Sequence, residues 1–585
     1  MKVAAWWHIS ALPLACALLA LVWGCGGTGM MPGRGAVALL VVGSLAAAFF
    51  SLRAPAAELT WRSPLVWLGA ALLWQAVALG CWTAAPEPGL LWWGERAGAL
   101  LTAFAAASWL GAVRQSWSPE ALVRAVSGSG AGVLIVAVIG QLPLVAAWSA
   151  GPDLPFGNPN FNVGGALPLL GVALPFVKDR RTAIILACGL AAAVMLGLGL
   201  RWDGHQFFFG DATRAVWVGL AAMLGLAAIL CLPARWHGWL IGGGEIFVLA
   251  ALSALIAGVL SLPVALASPS TGYRLSLWQC AVEAIAHAPW CGSGPGSAIV
   301  VLQEQAASPR ASLWVPSYAE HPHNEYLNAL LDGGLVGALL LGAGLLATLL
   351  PLWRRRAEPL AAGLLIAWSG VLTHALIESH LSQPGPLLLL AILAGASWAY
   401  AWSDGNAVKA RSPSWARLIM QLSACWITAF LVMQIWRDFT TGGSPSMIER
   451  RAQVRIHALG DQWLAQANEA AAVRARLGDL DVWLTTEAVA RARGRNFASA
   501  EMLALRQVER QPLDAEAIDL LLRLRTRHLA QGRPAEAQRL TTVLNITRTR
   551  AEQLLASVPD NPLSHRIREQ LHHVFARLEA FEPQP

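Results

Sequence analysis

The sequence predicts an all-α protein, a polytopic membrane helix bundle of about 12–13 spans with a large outer loop and a soluble helical tail. Three observations predict it. Of the 585 residues, 56% are hydrophobic and only 13% charged, whereas a soluble protein carries about 25% charged residues. Apolar stretches of about 17–25 residues, each long enough to cross a bilayer, recur throughout residues 1–436. After Trp436 the composition turns to Arg-, Glu- and Ala-rich sequence with helical periodicity, which marks 437–585 as a separate domain.

The apolar stretches lie near 5–25, 35–52, 64–82, 97–113, 127–148, 163–177, 182–200, 215–233, 238–264, 334–353, 359–377, 386–402 and 418–436. Lys2 and the run to Cys25 resemble a signal peptide without a small-x-small cleavage site, and Trp23 spoils a lipoprotein box, so an uncleaved first span is expected. With the N-terminus inside, the short inner loops hold fifteen basic residues. The short outer loops hold only Arg34, Arg96, Arg201 and Arg214. By the positive-inside rule, the 266–333 loop and the tail then lie outside the cytoplasm. The net charge of +7 comes from basic residues scattered singly between apolar runs, which excludes a nucleic-acid partner. The eight cysteines show no metal-binding spacing. Cys280 and Cys291 share the outer loop, where an oxidising compartment could join them.

Polar chemistry concentrates in Glu320–Gly337, at the end of that loop. His323 can accept a proton near neutral pH, with His321 as its competitor. Pro322 fixes the chain between them, and Asn324 can cap a helix whose N-terminus would favour an anion such as a phosphate. Arg214, Arg274 and Arg310 on the outer side are not needed for orientation, and an arginine fork suits phosphate oxygens. The alternative for each is a helix cap or a local ion pair. Tyr273 can stack on a sugar or sit at the interface. Asn160, in Gly-Asn-Pro-Asn-Phe-Asn at 157–162, is either a turn residue or a binding one. His374 and Glu378, spaced i, i+4, are either a helix-surface pair or face a shared cavity. In the tail, Phe497-Ala-Ser-Ala-Glu and Pro534-Ala-Glu-Ala-Gln stand 37 residues apart. This resembles a degenerate tetratricopeptide pair, a partner-binding surface, with a plain helical bundle as the alternative.

Residues 157–400 together resemble the O-antigen ligase and polymerase superfamily of bacterial inner-membrane glycosyltransferases. The resemblance rests on Gly-Asn-Pro-Asn before a span, Thr213-Arg214, Arg274-Leu-Ser-Leu-Trp, the segment Pro289 to Gly296, and His321-Pro-His-Asn followed by Leu-Asp-Gly-Gly-Leu-Val-Gly. It implies transfer of a glycan from undecaprenyl diphosphate to an acceptor on the periplasmic side, with inversion and with no metal or other cofactor. His323 matches the base, and Arg214 and Arg274 match the arginines that hold the diphosphate. Asp332 departs from the family's more usual Glu. The acceptor stays open between lipid A core, a growing glycan and a protein. From other classes, a lipid-linked glycan transporter would need interrupted helices and internal repeats, and a scaffold would not need the outer Arg and His residues.

Overall fold

A computed structural model of the chain describes residues 40–47, 63–83, 86–113, 118–139, 159–197, 200–202, 207–209, 215–230, 269–298, 300–302, 321–379, 382–401, 421–433, 456, 459, 462–477, 481–556 and 562–580. They belong to two compact units. One draws on Met1–Ser261, Ala288–Gly296 and His323–Phe439, the other on Leu262–His287, Ser297–Pro322 and Thr440–Pro585.

The first unit holds α1 (Pro64–Cys81), α2 (Pro86–Val113), α3 (Pro119–Ile139), α4 (Pro159–Gly171), α5 (Arg180–Gly197) and α6 (Ala215–Leu230). After α7 (Pro269–His287), which is in the second unit, come α8 (Glu325–Arg354), α9 (Pro359–His374), α10 (Pro384–Ala401) and α11 (Gln421–Met433). Proline opens most of them. Its missing N–H is one that a helix start leaves unused, and its fixed φ suits the first turn. Among the described residues the only sheet is a two-stranded antiparallel pair, Leu200–Trp202 with Phe207–Phe209.

Five described helices, α1, α3, α5, α8 and α10, are long and apolar enough to cross a membrane, and Trp217–Ala227, α9 and α11 are apolar but shorter. The expected spans 5–25 and 238–264 lie outside the described residues. The expected span 163–177 is not one continuous helix. Pro168 interrupts the hydrogen bonding of α4, which ends at Gly171 and gives way to a 3-10 turn over Leu174–Phe176. The helices pack as α2 on α10, α1 on α8, α3 on α4 and α5, and α9 on α4 and α6. Gly395 lets α10 approach α2 closely: a Cβ there would lie 2.8 Å from the Ala103 carbonyl oxygen. Trp398 Nε1 donates to Thr348 Oγ1 at 3.0 Å and Trp368 Nε1 to Ser397 Oγ at 3.0 Å, cross-helix bonds that satisfy polar atoms within the apolar bundle.

α8 is broken. Gly334 has φ 60° and ψ −164°, which ends one helical segment and starts another. The 289–296 turn fills the break. Leu335 N–H donates to the Pro289 carbonyl at 2.8 Å and Val336 N–H to that of Trp290 at 3.2 Å, while Ser293 N–H donates to the freed Leu331 carbonyl at 2.7 Å. Trp74 Nε1 caps the Gly333 carbonyl at 2.9 Å. In an apolar surrounding each such group must find a partner within the protein. The turn fits so closely that a Cβ on Gly334 would fall 2.3 Å from the Trp290 carbonyl oxygen, and one on Gly292 2.5 Å from the Gly334 nitrogen.

In the second unit α7 precedes the tail helices α12 (Trp463–Leu477), α13 (Asp481–Arg493), α14 (Phe497–Arg510), α15 (Ala515–Ala530), α16 (Pro534–Ala556) and α17 (Pro562–Ala580). Consecutive helices from α12 to α17 pack on one another around a core of Leu503, Leu521, Leu540 and Phe575. The 37-residue motif falls where α14 and α16 begin. Two residues before each start the backbone turns left-handed, at Arg495 (φ 64°) and Gly532 (φ 69°). Cys280 is buried and Cys291 exposed, both as free thiols. Burial, helped by Glu283, pushes the Cys280 thiol up to about 11, which leaves it a small hydrophobic group rather than a reactive one.

Candidate functional site

α8 begins where the sequence places it. Asn324 is extended (φ −156°, ψ 113°), and its Oδ1 accepts from the N–H groups of Tyr326 at 3.0 Å and Leu327 at 3.1 Å, a side-chain N-cap. Glu325 N–H donates to the Ala375 carbonyl at 2.8 Å. The first N–H groups of the helix are therefore committed inside the protein, which corrects the expectation that they would face an anion. The cap competes for the same donors that a phosphate would need.

His323, just before the cap, takes φ 51°, in the left-handed region. A non-glycine residue is held there at a cost of about 1–3 kcal/mol, so its surroundings must over-determine it. Its Nδ1 lies 2.6 Å from Glu378 Oε1. With Glu378 ionised, its carboxylate only accepts, so Nδ1 carries the proton and Nε2 is the unprotonated nitrogen of the neutral ring. Glu378 is 1% exposed and His323 23%, a sealed carboxylate behind a reachable imidazole. Glu378 follows the turn that ends α9, where Leu376 N–H donates to Thr373 and Ile377 N–H to His374. Ser379 N–H also reaches its Oε1, at 3.3 Å. The end of α9 and the segment after it are tied to the first turns of α8 by Tyr326 Oη on the Leu372 carbonyl (2.9 Å) and Asn328 Nδ2 on Ser382 Oγ (3.0 Å). A histidine whose tautomer is fixed by a buried carboxylate is equipped for general-base work at its other nitrogen.

About two helical turns into α8, Asp332 is fully buried and its Oδ2 lies 2.6 Å from Arg96 Nη1. Arg96, expected in a short outer loop, instead sits within α2 and is itself buried. α1, α2, α8, α9 and α10 enclose an apolar cavity of about 360 Å³. Leu68, Leu72, Leu341, Leu345 and Leu390 are among its apolar walls, and Arg96, Glu325 and Tyr326 bring polar groups to it.

Of the other expected site residues, His321 is buried and belongs to this constellation: one ring nitrogen each of His321 and His323 and a Glu378 carboxylate oxygen lie within 4.8 Å of one another. Arg274 is half-buried on α7, in the second unit. Asn160 falls in α4 and Tyr273 in α7. The expectations for the side chains of these two residues lie outside the described residues, as do Arg214 and Arg310. Glu378 was visible in the sequence only as a partner for His374, the i, i+4 neighbour. His374 is buried at the end of α9, and the carboxylate instead meets His323, 55 positions away.

A comparison with curated proteins returned no match. Against family models, residues 206–342 match the one described as O-antigen ligase (Wzy_C), a stretch that contains His321, His323, Asn324, Arg214, Arg274 and Asp332 but ends before Glu378. The chain therefore carries an O-antigen ligase family domain within a multi-helix protein that has candidate membrane spans.

Proposed function

We propose that the protein transfers a glycan from undecaprenyl diphosphate to an acceptor hydroxyl on the periplasmic face of the bacterial inner membrane, as an O-antigen ligase. The family match supports ligase- or polymerase-type glycan transfer. The observation that carries the finer reading is the 2.6 Å contact between His323 and the sealed Glu378. Nε2 of His323 takes the proton of the acceptor hydroxyl as its oxygen bonds to the anomeric carbon. The bond from that carbon to the diphosphate breaks, and undecaprenyl diphosphate leaves, with inversion. Glu378 stabilises the imidazolium that forms. Arg214 and Arg274, at the motif positions, balance the charge growing on the leaving diphosphate. Pocket-facing Leu68, Leu72, Leu341 and Leu345 suit a length of the polyprenyl chain. His321, Asn324, Arg310, Asn160 and Tyr273 are assigned to the substrates.

A transporter expects interrupted helices, and α8 is one. Its break, however, is filled by the 289–296 turn, and the Leu331 and Gly333 carbonyls bind Ser293 and Trp74 rather than facing an open path. The test is to supply membranes holding the protein with a labelled undecaprenyl-diphosphate oligosaccharide. Label should move to lipid A core, and the His323→Ala protein, inserted to the same level, should transfer roughly 10²–10⁴-fold more slowly. Longer chains retained on the lipid carrier would make the protein a polymerase. Label on a protein would make it an O-oligosaccharyltransferase, and equal transfer by the variant would remove His323 from the chemistry.

A further inference from the structure

The tail contains a second concavity, separate from the chemistry above. A groove of about 870 Å³ runs over α14, α15 and the turns before α14 and α16. Arg495, Arg506, Arg527, Arg533 and Arg539 line it against only two carboxylates, Glu501 and Glu509. Glu501 is buried, and its two oxygens are taken by His528 Nε2 at 2.7 Å and by Arg539. Its charge is spent within the wall, and the remaining four arginines, all exposed, share the groove with one further carboxylate, Glu509. Between them the surface is apolar: Met502 is 63% exposed on α14, and Leu505 and Leu524 lie beside it.

We propose that this groove binds an acidic, leucine-containing peptide segment of a partner protein. Arginine forks take carboxylates in a paired geometry, and the flexible Met502 side chain accommodates an aliphatic one. The groove has the volume of a ligand site rather than of a single-ion site. A nucleic acid or stacked sugar would want an open aromatic face, yet the ring of Phe497 is covered by the Arg527 guanidinium at 3.5 Å. A flat bilayer would not reach the floor of a concavity. The inference does not depend on the transferase reading, and either can fail without the other.

The test uses the full-length protein in detergent and a dye-labelled peptide of alternating glutamate and leucine, followed by fluorescence anisotropy. Binding should weaken about tenfold or more in Arg495→Glu/Arg533→Glu. It should change less than about twofold in Arg510→Glu/Arg523→Glu, which reverses exposed charges outside the groove. The milder Arg495→Gln/Arg533→Gln protein should fall between, with the same helix content by circular dichroism. Met502→Asp should also weaken binding. No binding of the peptide would overturn the proposal. So would equal binding of its glutamine or lysine counterpart, or an equal loss in the Arg510/Arg523 control. Displacement of the peptide by inorganic phosphate or by anionic phosphatidylglycerol vesicles would overturn it in favour of a phosphate or membrane site.

Discussion

Glu378 and Asp332 are both sealed carboxylates, each bonded at 2.6 Å to a basic side chain, yet they serve opposite ends. The partner of Asp332, Arg96, is as enclosed as the carboxylate and holds its charge at all relevant pH, so the pair ties α2 to α8. The partner of Glu378, His323, is 23% exposed. Its Nδ1 is held by the carboxylate, and in the proposed mechanism Nε2 takes the proton of the acceptor hydroxyl. The difference teaches that burial of a carboxylate alone does not mark a site; the reach and proton affinity of what it holds do.

The comparison can be broken most severely at Asp332. Asp332→Ala strands the Arg96 charge in the bundle and should cost about 3–5 kcal/mol, read as loss of accumulated, detergent-stable protein. Asp332→Ala protein that accumulates normally yet cannot transfer glycan would make this pair catalytic and erase the contrast. Gly334→Ala follows. A Cβ in the left-handed region costs about 1–2 kcal/mol, and displacing the Trp290 carbonyl about 1–3 kcal/mol more, seen as a lower melting temperature in detergent. Glu378→Gln keeps the shape at the other pair but removes its charge. It should slow transfer by roughly 10²-fold with unchanged melting. The smallest effect belongs to a half-buried pair. Thr182, then Arg124, hold the Asp179 carboxyl down to about 2, from 3.8. Its contribution is fully present above pH 3.8 and is lost as pH falls toward 2. Asp179→Asn should flatten the melting temperature across that window, lowering it slightly at neutral pH, where the contribution is fully present, and leaving it unchanged at the acid end.

How far the sequence could be read follows from the reach of each contact. The Asn324 cap is local, and so is the start of α8; both were legible from His-Asn followed by an apolar helix. The 37-residue spacing in the tail was legible because each copy marks a helix start. The break at Gly334 was not, since Asp-Gly-Gly-Leu reads simply as the beginning of a span, and only the 289–296 turn explains why the helix opens there. Arg96 read as a loop residue because its charge interrupts an apolar window, whereas its partner lies 236 positions away. Glu378 had a nearer candidate partner in His374, which obscured its bond to His323, 55 positions away.

In the proposed mechanism Glu378 acts through His323. The direct measurement is a double-mutant cycle of transfer rates for the unaltered protein, His323→Ala, Glu378→Gln and the double variant, each normalised to inserted protein. Glu378→Gln should slow the unaltered protein but leave the residual rate of His323→Ala unchanged. Effects that multiply, with Glu378→Gln slowing both proteins by the same factor, would contradict that mechanism.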